Sequence, residues 1–183
     1  MLTIGIVLFL LYSFYTGYRR GFVIQLVRLV GYIVSAIVAS KLYVPFSKYT
    51  EMLVPFPSVQ QNSQLALYNE ATSFILDTAF YRVISFIVVA FVGWLITNFI
   101  GLLFRRVSYY MPFRWVNHLA GGIMNVFISF SFVYLILFVM SLIPVEAIQQ
   151  QFVDNPIAYR IVSQTPILTD MATNMWLQLN PFR

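Results

Sequence analysis

Four stretches of the chain are too long and too apolar for a protein that faces water, and the charges between them set how it is organised. Val83 to Phe104 holds 22 residues without an ionisable group, enough helix to cross a hydrocarbon core of roughly 30 Å at about 1.5 Å per residue. Val116 to Val145 carries His118 as its one side chain that ionises near neutral pH, Phe22 to Ser40 has the single charge of Arg28, and Met1 to Tyr18 has none. These runs predict an all-α, polytopic membrane protein with spans at about 2–18, 22–40, 83–104 and 119–143.

Composition closes the soluble alternative. Hydrophobic residues make up 60% of the chain and charged residues 9%, too little polar surface to solvate a globule of this size. A water-soluble helical core protein would need charged outer faces, and the segments 83–104 and 119–143 offer none. With no cysteine and one histidine, disulfides, thiol nucleophiles and zinc sites drop out, so no metal and no cofactor is expected. The net charge of +5 does not point to nucleic acid. Arg19, Arg20, Arg105, Arg106 and Arg114 flank apolar runs and form no basic face interleaved with aromatics.

The start of the sequence has neither a basic leader nor a small-residue cleavage site, so the first run is expected to stay as a helix. Eighteen uncharged residues ahead of Arg19-Arg20 also rule out reading that pair as a twin-arginine export signal. Gly17 and Gly21 around the arginines mark a tight turn between the first two spans. Lys41, Pro45, Lys48, Pro55 and Pro57 are expected to end span 2 near Ser40 and to open an outer loop over 41–82. Within that loop Leu65, Tyr68, Thr72, Ile75 and Ala79 at helical spacing predict an interfacial helix leading into span 3. The aromatics Tyr109, Tyr110, Phe113 and Trp115, with Pro112, belong at headgroup level in the loop between spans 3 and 4.

After a membrane domain at 1–143, the tail at 144–183 is more polar and broken by Pro156, Pro166 and Pro181. It reads either as amphipathic helices lying on the membrane or as a cover packed on the ends of the bundle. Basic residues are densest in the tight turns at 19–21 and 105–118, which places these turns in the cytoplasm and both termini, with the outer loop, outside.

Small residues recur at i, i+4, i+8 in three spans: Gly31, Ser35 and Ala39; Gly93, Thr97 and Gly101; Gly121, Asn125 and Ser129. In lipid such stripes let helix backbones approach closely, and they predict a packed bundle. Arg28, Asn98 and Asn125 fall at one depth, about 10–12 Å inside the cytoplasmic boundary. Two readings of Arg28 stand: a polar layer in which it donates to the carbonyls of Asn98 and Asn125, or a side chain that snorkels to the phosphates.

No catalytic constellation emerges. His118 has no cysteine or acidic neighbour and reads as a capping or interface residue beside Asn117. Glu51, Glu70 and Asp77 match no calcium loop or paired-acid site. The expectation is a non-enzymatic protein.

Two segments carry a resemblance. Gly17-Tyr18-Arg19-Arg20-Gly21-Phe22, followed by Leu26, Gly31 and Ser35 to Ala39, resembles the first hairpin of the colicin V production protein family. Asn117-His118-Leu119-Ala120-Gly121-Gly122, after a basic loop with a proline, resembles the start of that family's fourth span. The motif positions are Arg20, Gly21, Phe22, Asn117, Gly121 and Gly122, and the resemblance covers residues 1–143. It implies a bacterial inner-membrane protein associated with toxin production and export. Thr3 and Ile4 stand where many members carry an acidic residue, and Asn125 stands where a glycine is common. The partners implied are the bilayer, further copies of the chain or other membrane proteins, and no nucleic acid; the competing reading is a small oligomeric channel or transporter lined by Arg28, Asn98 and Asn125.

Overall fold

The computed structural model describes residues 2–56, 65–68, 75–103 and 114–178, apart from the side chains of Leu103 and Arg114. The described residues are helical almost throughout. Four helices, α1 (Leu2–Arg20), α2 (Phe22–Leu53), α3 (Leu76–Leu103) and α4 (Arg114–Leu142), are each long and apolar enough to cross a membrane. Three short helices follow, α5 (Glu146–Asp154), α6 (Pro156–Gln164) and α7 (Leu168–Ala172), with a π-helical turn at Thr173–Leu177. The long helices leave large apolar side chains uncovered, including Leu11, Tyr12, Val34, Phe99 and Phe127. Water would penalise that surface heavily, whereas acyl chains are its natural solvent.

One expectation fails here. The helix expected to stop near Ser40 runs on to Leu53 with Pro45 inside it, although proline removes one backbone donor and crowds the carbonyl four residues back. Neighbouring contacts outweigh that cost. Ser47 Oγ donates to Val44 O at 2.7 Å, and Tyr43 reaches Met175 O at 3.1 Å. The Thr50 and Ser85 hydroxyls meet in a buried bond of 2.6 Å. Likewise Leu76–Tyr81 are not a separate interfacial helix but the first turns of α3, while 65–68 are not helical. The rest of that expected helix, at 69–74, lies outside the described residues, as does the aromatic loop at 104–113.

The chain groups into two compact units, and α2, α3 and α4 each contribute to both. The first comprises 1–3, 43–85 and 133–183. Its core is formed by Leu76, Val83, Tyr134, Phe138, Leu142, Phe152, Val162 and Leu177, all buried. Gln149 ties it together: its Nε2 donates to Ser141 O and Ile143 O, and its Oε1 accepts the Ala66 N–H at 3.0 Å. Tyr68 is fully enclosed, and its hydroxyl meets Ser141 Oγ at 3.0 Å. Burial disfavours the phenolate, so the Tyr68 pKa is pushed well above the usual tyrosine value. The tail therefore packs one face into the core of this unit.

The second unit comprises 4–42 and 86–132. None of the chain's six acidic residues falls within it, whereas Arg19, Arg20, Arg28, Lys41, Arg105, Arg106 and Arg114 do. Both motif segments and all three intramembrane polar residues belong to this unit.

Candidate functional site

The turn between α1 and α2 begins with geometry that only glycine accepts comfortably. Gly21 has φ of 80° and donates its N–H to Gly17 O at 3.0 Å, closing the end of α1. Phe22 then opens α2 with a backbone N–H that has no partner in its own helix. Asn117 supplies one from α4, its Oδ1 accepting the Phe22 N–H at 2.9 Å. One residue further on, His118 Nδ1 lies 2.6 Å from Tyr18 O near the end of α1. A carbonyl can only accept, so Nδ1 carries the proton. The Asn117-His118 pair thus caps both sides of the turn from a helix about a hundred residues away.

Close backbone approach makes this latch possible. A Cβ on Gly17 would run into Asn125 Cβ and Gly121 O, and one on Gly121 would lie 2.5 Å from Gly21 C and 2.8 Å from Phe22 N. Gly122 accommodates the Phe14 ring. The motif residues Gly21, Phe22, Asn117, Gly121 and Gly122 therefore meet in one place. Arg20 beside them is exposed, and Arg19 sits 5.9 Å over the Tyr15 ring.

The stripes of α2 and α3 interleave in antiparallel register. Gly31 meets Thr97, Ser35 meets Gly93, and Gly101 leaves room for Arg28, whose Nε would lie 3.6 Å from an added Cβ. Ser35 returns its hydroxyl to Gly31 O at 2.7 Å. Ala39 is fully buried and Ser129 nearly so. Sequence spacing identified these positions; the structure adds which stripe faces which.

The polar residues are arranged differently from the layer expected. Asn125 Nδ2 donates to Ser13 O at 2.6 Å and to Thr16 Oγ1 at 3.1 Å, binding α4 to α1. Asn98 Nδ2 donates to Trp94 O at 2.8 Å and to Tyr32 Oη at 3.3 Å, binding α3 to α2. Arg28 is buried against Gly101. The reason is reach: each asparagine stem is short and finds an acceptor on the helix it touches before a shared centre. Sequence reasoning overlooked Gln25, which is fully enclosed with neither amide atom hydrogen-bonded. Its place one turn before Arg28, on the same helical face, was the available signal.

Four apolar helices, joined by glycine-mediated contacts and carrying interhelical amide bonds, define a polytopic helical membrane protein. The model of the family described as colicin V production protein matches residues 2–166, so the chain belongs to the colicin V production protein family. A curated relative, described as the uncharacterized transmembrane protein YshB of Bacillus subtilis (strain 168), is 28% identical over 178 residues, covering 97% of this chain and 98% of that protein. No solved structure matches.

Proposed function

We propose that the chain is a non-enzymatic component of the bacterial cytoplasmic membrane that supports production or export of a colicin V-type toxin and the upkeep of the envelope. It acts through helix contacts with further copies or with other membrane proteins. The observation that carries this reading is the family match, which runs through all four spans and into the tail. The charge distribution supports an orientation. Because Arg19, Arg20, Arg105, Arg106 and Arg114 crowd the two short stretches of sequence between apolar runs, and no acidic residue falls in 4–42 or 86–132, those stretches face the cytoplasm and both termini face outward. The channel alternative finds no supporting observation: Arg28, its intended lining, is packed against Gly101.

The test is complementation. Expressed in a toxin-producing bacterium whose own family member has been deleted, the chain should restore the amount of bacteriocin released. Unchanged release, with the chain present in the membrane at the level of the deleted protein, contradicts the reading.

A further inference from the structure

Ile167 has the most costly backbone among the described residues. Its φ of 69° and ψ of −55°, with Leu168 N–H bonded to Pro166 O at 2.8 Å, form a γ-turn of the positive-φ kind. For a β-branched residue this region is an outlier, sustained only when the surroundings impose it. They do so from both sides. Thr165 Oγ1 donates to Ile161 O at 2.6 Å, Thr169 Oγ1 donates to Val162 O at 2.9 Å, and the Met171 N–H bonds to Ile167 O at 2.9 Å.

The strained residue is not itself buried, although its neighbours Val162, Thr169 and Ala172 are. Ile167 is 71% exposed, and Met171, one helical turn on and on the same side, is 52% exposed. In water, the outward isoleucine would add nothing to offset the strained backbone. In hydrocarbon it gains the transfer of that side chain.

The opposite face of this segment shows which solvent surrounds it. Thr169 lies against Tyr134, and the Trp176 ring centroid is 5.3 Å from that of Phe138. Tyr134 and Phe138 precede the last residue of α4, Leu142, by two turns and one turn, roughly 12 Å and 6 Å along the axis. The turn at Ile167 therefore lies beside the end of a membrane span, not beyond it. Three residues, Ile143 to Val145, separate that span from α5, which keeps the tail at the boundary. Asp170 is exposed on α7, and its carboxylate limits the depth to the headgroup margin.

We propose that Ile167 and Met171 form a shallow hydrophobic wedge that enters the bilayer next to α4, with lipid acyl chains as its occupant, and that the γ-turn exists to aim it. The test uses the absence of natural cysteines. Full-length Ile167→Cys, Met171→Cys and, as a control on the exposed end of α6, Gln164→Cys are labelled with a polarity-sensitive fluorophore in vesicles of phosphatidylcholine and phosphatidylglycerol. Labels at 167 and 171 should be blue-shifted, quenched by a nitroxide at the top of the acyl chain, and shielded from aqueous iodide; the label at 164 should show the reverse. Iodide quenching at 167 and 171 equal to that at 164 would overturn the proposal. So would shielding from both quenchers, which would mean that a second copy or a partner protein covers the face, and so would equal nitroxide quenching at all three positions, which would embed the whole tail. Met171→Cys keeps the test valid should Ile167→Cys relax the turn.

Discussion

Replacing Gly121 with alanine adds one methyl group at the point where three pieces of backbone meet. Its Cβ would lie 2.5 Å from Gly21 C, 2.8 Å from Phe22 N and 2.9 Å from Gly17 O. Ordinary contact needs about 3.4–4 Å, so the α1–α2 turn must retreat from α4 by roughly 0.5–1 Å. That movement stretches the Asn117–Phe22 and His118–Tyr18 hydrogen bonds, now 2.9 Å and 2.6 Å. Losing both costs about 1–3 kcal/mol, and overpacking adds about 1–3 kcal/mol. Alanine's better helix propensity returns only about 1 kcal/mol. The net loss is about 3 kcal/mol, within a range of about 1–5. Two controls fix the scale. A Cβ on Gly5 meets nothing within 4 Å, and one on Gly101 meets Arg28 at 3.6 Å and 3.9 Å, both ordinary contacts. The assay is equilibrium unfolding in mild detergent with increasing dodecyl sulfate, followed by tryptophan fluorescence. Gly5→Ala should match or exceed the parent, Gly101→Ala should stay close to it, and Gly121→Ala should unfold at distinctly lower dodecyl sulfate. Equal midpoints for Gly121→Ala and Gly101→Ala would refute the latch.

Three further outcomes follow from single side chains. Asn125→Leu removes the bonds to Ser13 and Thr16 and should cost about 0.5–1.5 kcal/mol in the same unfolding assay; no loss would show that the amide does not join α1 to α4. Gln25→Met keeps the volume while deleting two buried, unbonded polar atoms, so stability should hold or rise by about 1 kcal/mol, and a loss would assign the amide a needed partner. Tyr68, whose folded pKa is raised by burial, binds its proton more tightly folded than unfolded. Its contribution should therefore be intact below the unfolded tyrosine value and decline as pH rises above about 10; Tyr68→Phe should flatten the alkaline part of the stability profile, and an unchanged profile would count against enclosure.

Whatever depends on apolar length was legible in the sequence, because the bilayer imposes it: α1, α3 and α4 appear where uncharged runs demanded them. Stripes were legible too, since Gly31, Thr97, Ser35 and Gly93 allow an approach that larger side chains forbid. What escaped depends on contacts between distant segments. Pro45 looked like a terminus because local rules treat it so, and only packing around Tyr43, Thr50 and Ser85 keeps that helix going. His118 was read as a capping or interface residue and Asn117 only as a motif position, and neither reading told that the pair caps α1 and α2, since spacing along one helix says nothing about its neighbour. Equal depth suggested that Arg28, Asn98 and Asn125 would meet; depth leaves the rotation about each helix axis free, and the two asparagines turn to different partners.

The latch can be observed in the membrane itself. His118 is the chain's only histidine, so a chain carrying ¹⁵N-histidine and carbonyl-¹³C tyrosine, reconstituted in bilayers, isolates one nitrogen signal for rotational-echo double-resonance measurement. The account predicts a proton on Nδ1 and strong dephasing of that nitrogen by the Tyr18 carbonyl. An unprotonated Nδ1, or no dephasing by any tyrosine carbonyl, would contradict it.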